Sequence, residues 1–199
     1  MPSVMEQILS HIDQNALHEM SSELGETPQA TGNGIAAAVP LILQALARNA
    51  GDGQGRESLY NAVSNDHDGS VLDNLMSVLG GSMGQDRATD GAGILGHVFG
   101  NSQSGLMNAL SQATGMNASS MGRLLTMLAP VVMGFLGRQS QRQGLDADGL
   151  ASLLGQERTY AQQSAPGLMG ALSRFLDQDG DGSVVDDLGG MLGQLLMRR

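Results

Sequence analysis

The sequence predicts an all-α protein in which two diverged copies of a small helical unit pack into one body. Three observations predict it. Aromatic residues are only 3% of the 199 and tryptophan is absent, while 13 methionines join leucine, alanine and valine in the aliphatic set that fits helices. Alternating runs of β-branched and aromatic residues, the mark of strands, do not occur. Apolar residues instead recur at helical spacing, and segments of the first half are echoed in the second. A hydrophobic content of 41% is enough for a core.

Residues 3–24 carry helical spacing at Val4, Ile8, Leu9, Ile12 and Leu17, and Gly25 ends that helix. Thr27-Pro28 opens the next, with proline at an early helical position. Residues 35–47, IAAAVPLILQALA, are apolar nearly all round, which predicts burial on every side and a kink at Pro40. Residues 50–55 read as a loop and 57–63 as a short helix, followed by the acidic loop 64–70. Glycine-rich residues 80–93 read as a flexible linker. Residues 124–137, LLTMLAPVVMGFLG, are too short to span a membrane and contain Pro130, so they read as a buried helix.

The two halves echo one another. Ile8-Leu9-Ser10-His11 matches Ile94-Leu95-Gly96-His97, and residues 38–48 match 129–138, with Pro40 opposite Pro130. Aligning Gly69 with Gly182 sets Asp66, Asp68, Ser70 and Asp73 against Asp179, Asp181, Ser183 and Asp186. The expected organisation is a first unit at 1–80, a linker at 81–91 and a second unit at 92–199. From the matched arginine to the matched glycine the first copy takes 21 steps (48 to 69) and the second 44 (138 to 182), which predicts a helical insertion at about 143–167.

The chemically most pointed stretch is 177–187, DQDGDGSVVDD. Calcium takes about six to eight oxygens, and carboxylates at alternate positions converge on it only where the chain turns sharply. Asp177, Asp179 and Asp181 alternate, Gly182 stands at the turn, the Ser183 carbonyl follows, and Asp186 or Asp187 must close the site, because Leu188 occupies the place of the usual closing glutamate. Without a cation these carboxylates repel one another. One calcium ion is therefore expected here, in an EF-hand-like loop between helices. The same letters also spell a capping box, Ser183 with Asp186, that starts a helix with no metal. In the first copy Ser64 replaces Asp177 and Asn74 replaces Asp187, so a second ion is not expected there.

Composition excludes several functions. All ten basic residues are arginine, and the lack of lysine removes a Walker-type phosphate loop and Schiff-base chemistry. A net charge of −10, with no basic patch, argues against nucleic acid as a partner. The absence of cysteine removes disulfides and thiolate sites. Residues 80–84 spell G-x-S-x-G and 91–96 spell G-x-G-x-x-G, but neither follows a buried strand. His11, His18, His67 and His97 make no metal spacing; His11 and His18 fit one helix face, and the matched His11 and His97 read as packing residues with one ring nitrogen bonded to backbone. No nucleophile has an evident partner, so no enzyme is expected. The N-terminus lacks a basic n-region, so no secretory signal is expected and the cytoplasm is the expected compartment.

The proline helices followed by arginine, the stretch Ile-Leu-Gly-His-Val-Phe at 94–99 and DQDGDGSVVDDLGGMLG at 177–193 together resemble the YidB-like bacterial domain-of-unknown-function family over essentially the whole chain. The resemblance implies a small, mostly helical bacterial protein, homeodomain-like in fold in some members, and no particular activity. The expected function is a non-enzymatic, calcium-stabilised binding or scaffolding module that associates with itself, as a homo-oligomer, or with another protein. Faces rich in leucine and methionine would carry the contact, among them Met107, Met121, Met127, Met133, Met169, Met191 and Met197. The alternative is a nucleic-acid-binding regulator with a homeodomain-like fold, against which the acidic, apolar helices weigh.

Overall fold

A computed structural model describes residues 3–74, 90–100 and 103–164. Among them are eight α-helices, one 3-10 turn and no strand. The helices are α1 (Val4–His11), α2 (Gln14–Leu24), α3 (Pro28–Asn49), α4 (Gly53–Asn65), α5 (Gly91–Phe99), α6 (Gln103–Thr114), α7 (Ala118–Gln143) and α8 (Ala147–Ser164), with the 3-10 turn at Ser70–Asn74. The all-helical expectation stands.

Two long helices make the centre. α3 packs against each of the other seven helices, and α7 packs against α1 to α6 and the 3-10 turn. From Leu124 to Gly137 every α7 residue except Thr126 is buried. Both helices are long and apolar enough to cross a membrane, yet 67% of the apolar window of α3 and 83% of that of α7 is buried inside the fold. Each contains a proline twelve residues after its start, Pro40 and Pro130, and each runs on beyond it. Proline leaves one carbonyl of the preceding turn without its helical donor.

Capping fixes where the helices begin. Side chains of Ser3, Asp13, Thr27, Asp52, Asp90 and Asn117 each accept an N–H from the first turn of the helix that follows. The single helix expected over 3–24 is broken at Ile12-Asp13, because the Asp13 carboxylate accepts the Ala16 N–H at 2.8 Å and starts α2 afresh. His11 and His18 accordingly lie on different helices. Gly25 ends α2 in the left-handed conformation, with its N–H shared between the Ser21 and Ser22 carbonyls.

The helix expected at 57–63 is longer than its apolar pattern suggests. Asp52 accepts the Gly55 N–H at 2.7 Å, so α4 begins inside the glycine-rich stretch. Gly55 is required there, since a Cβ would lie 2.0 Å from the Asn49 carbonyl oxygen. Helix α8 covers most of the stretch expected as an insertion and packs against α3, α4 and α1. Met121, Met127 and Met133 are buried in the core and Met107 is half-buried. The remaining named methionines, Met169, Met191 and Met197, lie outside the described residues.

Candidate functional site

Two grooves flank the central helices, each formed where a short helix starts beside the helix that follows a long one. The first lies between α1 and α8 and has a cavity of about 580 Å³. Its floor is sealed by the chain itself. Glu157 of α8, buried at 5% exposure, accepts the Val4 N–H at 2.8 Å on one oxygen and the Met5 N–H at 3.1 Å on the other. Ser3 and Glu6 close a capping box across the same turn, and the Tyr160 hydroxyl donates to Glu6. The Tyr160 hydroxyl and the Ser3 N–H hold the Glu6 carboxyl below its ordinary range. A carboxyl group at a helix N-terminus meets N–H groups that have no partner within the helix, and here two of them satisfy both Glu157 oxygens.

The second groove lies between α4 and α5 and measures about 630 Å³. Among its described lining residues, Leu59, Val98 and Met133 are buried and apolar, and Asp52, Asp66 and Asp90 bring three carboxylates. Asp52 and Asp90 cap α4 and α5 through the Gly55 and Gly93 N–H groups. Asn49 donates to the His97 and Val98 carbonyls at 3.2 and 3.4 Å, fixing the C-terminal end of α5 to the end of α3. The ring Nδ1 of His97 lies 3.0 Å from the Gly93 carbonyl, as His11 Nδ1 lies 2.9 Å from that of Gln7, so both matched histidines bond to backbone.

The helix starts beside the two grooves share a local sequence pattern. Asp52 and Gly55 start α4 as Asp146 and Gly149 start α8, with Gly149 N–H on Asp146 at 2.8 Å. Counting on from those caps, Ser58 matches Ser152, Leu59 matches Leu153, Val63 matches Glu157 and Asp66 matches Tyr160. The latch of the first groove thus has an apolar residue and an aspartate in its place in the second.

The acidic loop after α4 lies against α7. Arg138 donates to the Gly69 carbonyl at 3.0 Å and to Asp73 at 2.8 Å. Asp68 accepts the Ser70 N–H at 2.9 Å, and that bond, with the Ser70 hydroxyl, holds its carboxyl low. Gly69 adopts φ 95°. The approach to α7 is close enough that a Cβ on Gly137 would lie 1.7 Å from the His67 carbonyl oxygen. Two of this loop's carboxylates therefore serve a turn and an ion pair. Among the described residues no group of three or more histidines and acids is placed to hold a metal.

The expected calcium ligands Asp177, Asp179, Asp181, Ser183, Asp186 and Asp187 all lie outside the described residues. What the sequence reading missed is Glu157, Tyr160 and the two grooves. The Asp-x-x-Gly at 52–55 and 146–149 was the available signal, since in each the aspartate accepts the glycine N–H where a helix that lines a groove begins.

No curated protein and no solved structure matches the chain. A sequence profile described as a bacterial protein of unknown function (DUF937) matches residues 6–139, which take in most of α1, all of α2 to α6 and nearly all of α7. Because that match covers well over half of the chain, the protein belongs to this bacterial family of unknown function.

Proposed function

We propose that the protein is a non-enzymatic, cytoplasmic binding or scaffolding module whose helical body is steadied by one calcium ion. The observation that carries the binding reading is the contrast between the grooves: one is latched by Glu157 and Tyr160, while its counterpart keeps an apolar floor and three carboxylates. Of the methionines expected to carry the contact, Met121 and Met127 are buried in the core, while Met133, also buried, lines the floor of the groove between α4 and α5. The calcium reading rests on the alternating carboxylates of 177–187, and an ion bound only by the folded loop stabilises the fold by linkage.

We also propose that the halves are two copies of one unit. The matched prolines, histidine bonds, caps and grooves support pairing α1–α4 with α5–α8. On this pairing residues 143–167 hold the counterpart of α4.

The test is a thermal melt in EDTA and then in millimolar calcium, with Asp179→Ala and Asp181→Ala alongside. A calcium-specific rise in Tm, absent from both variants, supports the ion; at a hundredfold excess over Kd the gain is about 2.7 kcal/mol. Overlaid melts remove calcium from the reading. Sedimentation across a range of concentrations reads self-association separately.

A further inference from the structure

We propose that the groove between α4 and α5 receives a cationic amphipathic helix of a partner protein, apolar side chains on Leu59, Val98 and Met133, arginine or lysine heads among Asp52, Asp66 and Asp90. This rests on the reading of the protein as a binding module and names the chemistry of its partner.

The groove has the form that helix recognition uses. An amphipathic helix presents apolar anchors about one turn apart, and a cleft of roughly 300–1,000 Å³ accepts several such side chains. At about 630 Å³, with its floor drawn from α4, α5 and α7, this groove lies in that range. Its described lining holds three aspartates and no arginine, beside the histidines His67 and His97 and the neutral Asn49 and Ser58. Arg56 is on α4 but is paired with Asp148 of α8.

Comparison with the latched groove sharpens the charge argument. There, each carboxylate is answered from within: Glu157 by two backbone N–H groups, Glu6 by the Tyr160 hydroxyl and the Ser3 N–H. In the open groove, where Tyr160 has its counterpart, stands Asp66, half-buried at the end of α4. Asp52 and Asp90 each accept one N–H. A helix bearing arginine or lysine supplies the missing donors, and the opposite charges favour its approach. A second copy of this chain, at net charge −10, meets the same aspartates with like charge, which favours a basic partner over self-docking at this groove.

The test is fluorescence anisotropy of the full chain with three labelled 18-residue amphipathic helices that share leucines and carry arginine, glutamine or glutamate on the polar face. Ser58→Arg puts a bulky cation at the exposed lip of the groove, and Ser152→Arg puts the same side chain at the matched place in the latched one. Circular dichroism checks that both variants keep the helical fold. The expected result is binding of the arginine probe that weakens with salt and falls at least about tenfold in Ser58→Arg. Ser152→Arg leaves that binding unchanged, and the glutamate probe does not bind. Equal binding of the glutamine and arginine probes, lost in Ser58→Arg, overturns the cationic chemistry while leaving the binding module standing. Binding that survives Ser58→Arg, or no binding of the arginine probe at all, overturns the groove as the docking site.

Discussion

The groove between α1 and α8 and the groove between α4 and α5 are of similar volume, about 580 and 630 Å³, yet side-chain hydrogen bonds tie α1 to α8 across the first, whereas the second brings three aspartates together. In the first, Glu157 spans two N–H groups of α1 and Tyr160 reaches Glu6. In the second, Val63 is fully buried in the place of Glu157, and the acidic loop is drawn instead onto α7 by Arg138. The difference teaches how similar local sequence serves two ends. A buried carboxylate aimed at a helix start ties two elements together, whereas an apolar residue in its place leaves that helix start without the tie.

The largest break in the comparison comes from the close approach on the open side. Gly137→Ala places a Cβ on the His67 carbonyl, whereas the matched residue on α3 is already Ala47. Overpacking against backbone predicts a loss of about 3 kcal/mol or more, read by chemical denaturation. A small effect there would show that the 66–73 loop yields freely.

Next is the latch itself. Glu157→Ala leaves the Val4 and Met5 N–H groups without an acceptor, so about 2–3 kcal/mol is expected to be lost, with faster amide exchange along α1. Glu157→Gln keeps one carbonyl acceptor and recovers part of the loss. Exchange in α1 no faster than in native protein would refute the latch.

Arg138→Ala removes one ion pair and one bond to the Gly69 carbonyl. With Asp73 largely exposed, about 1 kcal/mol is expected, partly screened by salt. The smallest effect is one of pH. The Glu6 carboxyl lies below its unfolded value, so its contribution is present above the ordinary glutamate range and is lost as pH falls through the depressed value. Tyr160→Phe removes the main cause, and the acid limb of a stability-against-pH curve should flatten; an unchanged limb would mean the hydroxyl is not engaged.

Much of this fold was readable from residue types. The all-round apolar pattern of residues 35–47 and 124–137 gave two core helices, and Gly25 marked a helix end, because such signals are local. The break at Asp13 was not, since Ile12 continues the apolar spacing while the aspartate competes by capping. The stretch Asp52 to Gly55 read as a loop because glycine disfavours helices, yet contact with the Asn49 carbonyl requires glycine there. Glu157 reads as one more acid on a polar helix; its partners lie more than 150 residues away, and no local pattern encodes that contact. The acidic run at 177–187 was the most legible chemistry in the chain and lies outside the described residues.

The tie between Val4 and Glu157 also sets an order of events at the ribosome. α1 is synthesised before α8, which carries the acceptor for the first two N–H groups of α1. At about 5–20 residues per second, roughly eight to thirty seconds separate the two. Until then an eight-residue helix, too short to persist alone, must rely on α3 and α7 for support. The first turn of α1 is therefore fastened only once α8 has been made, although it leaves the exit tunnel well before that helix.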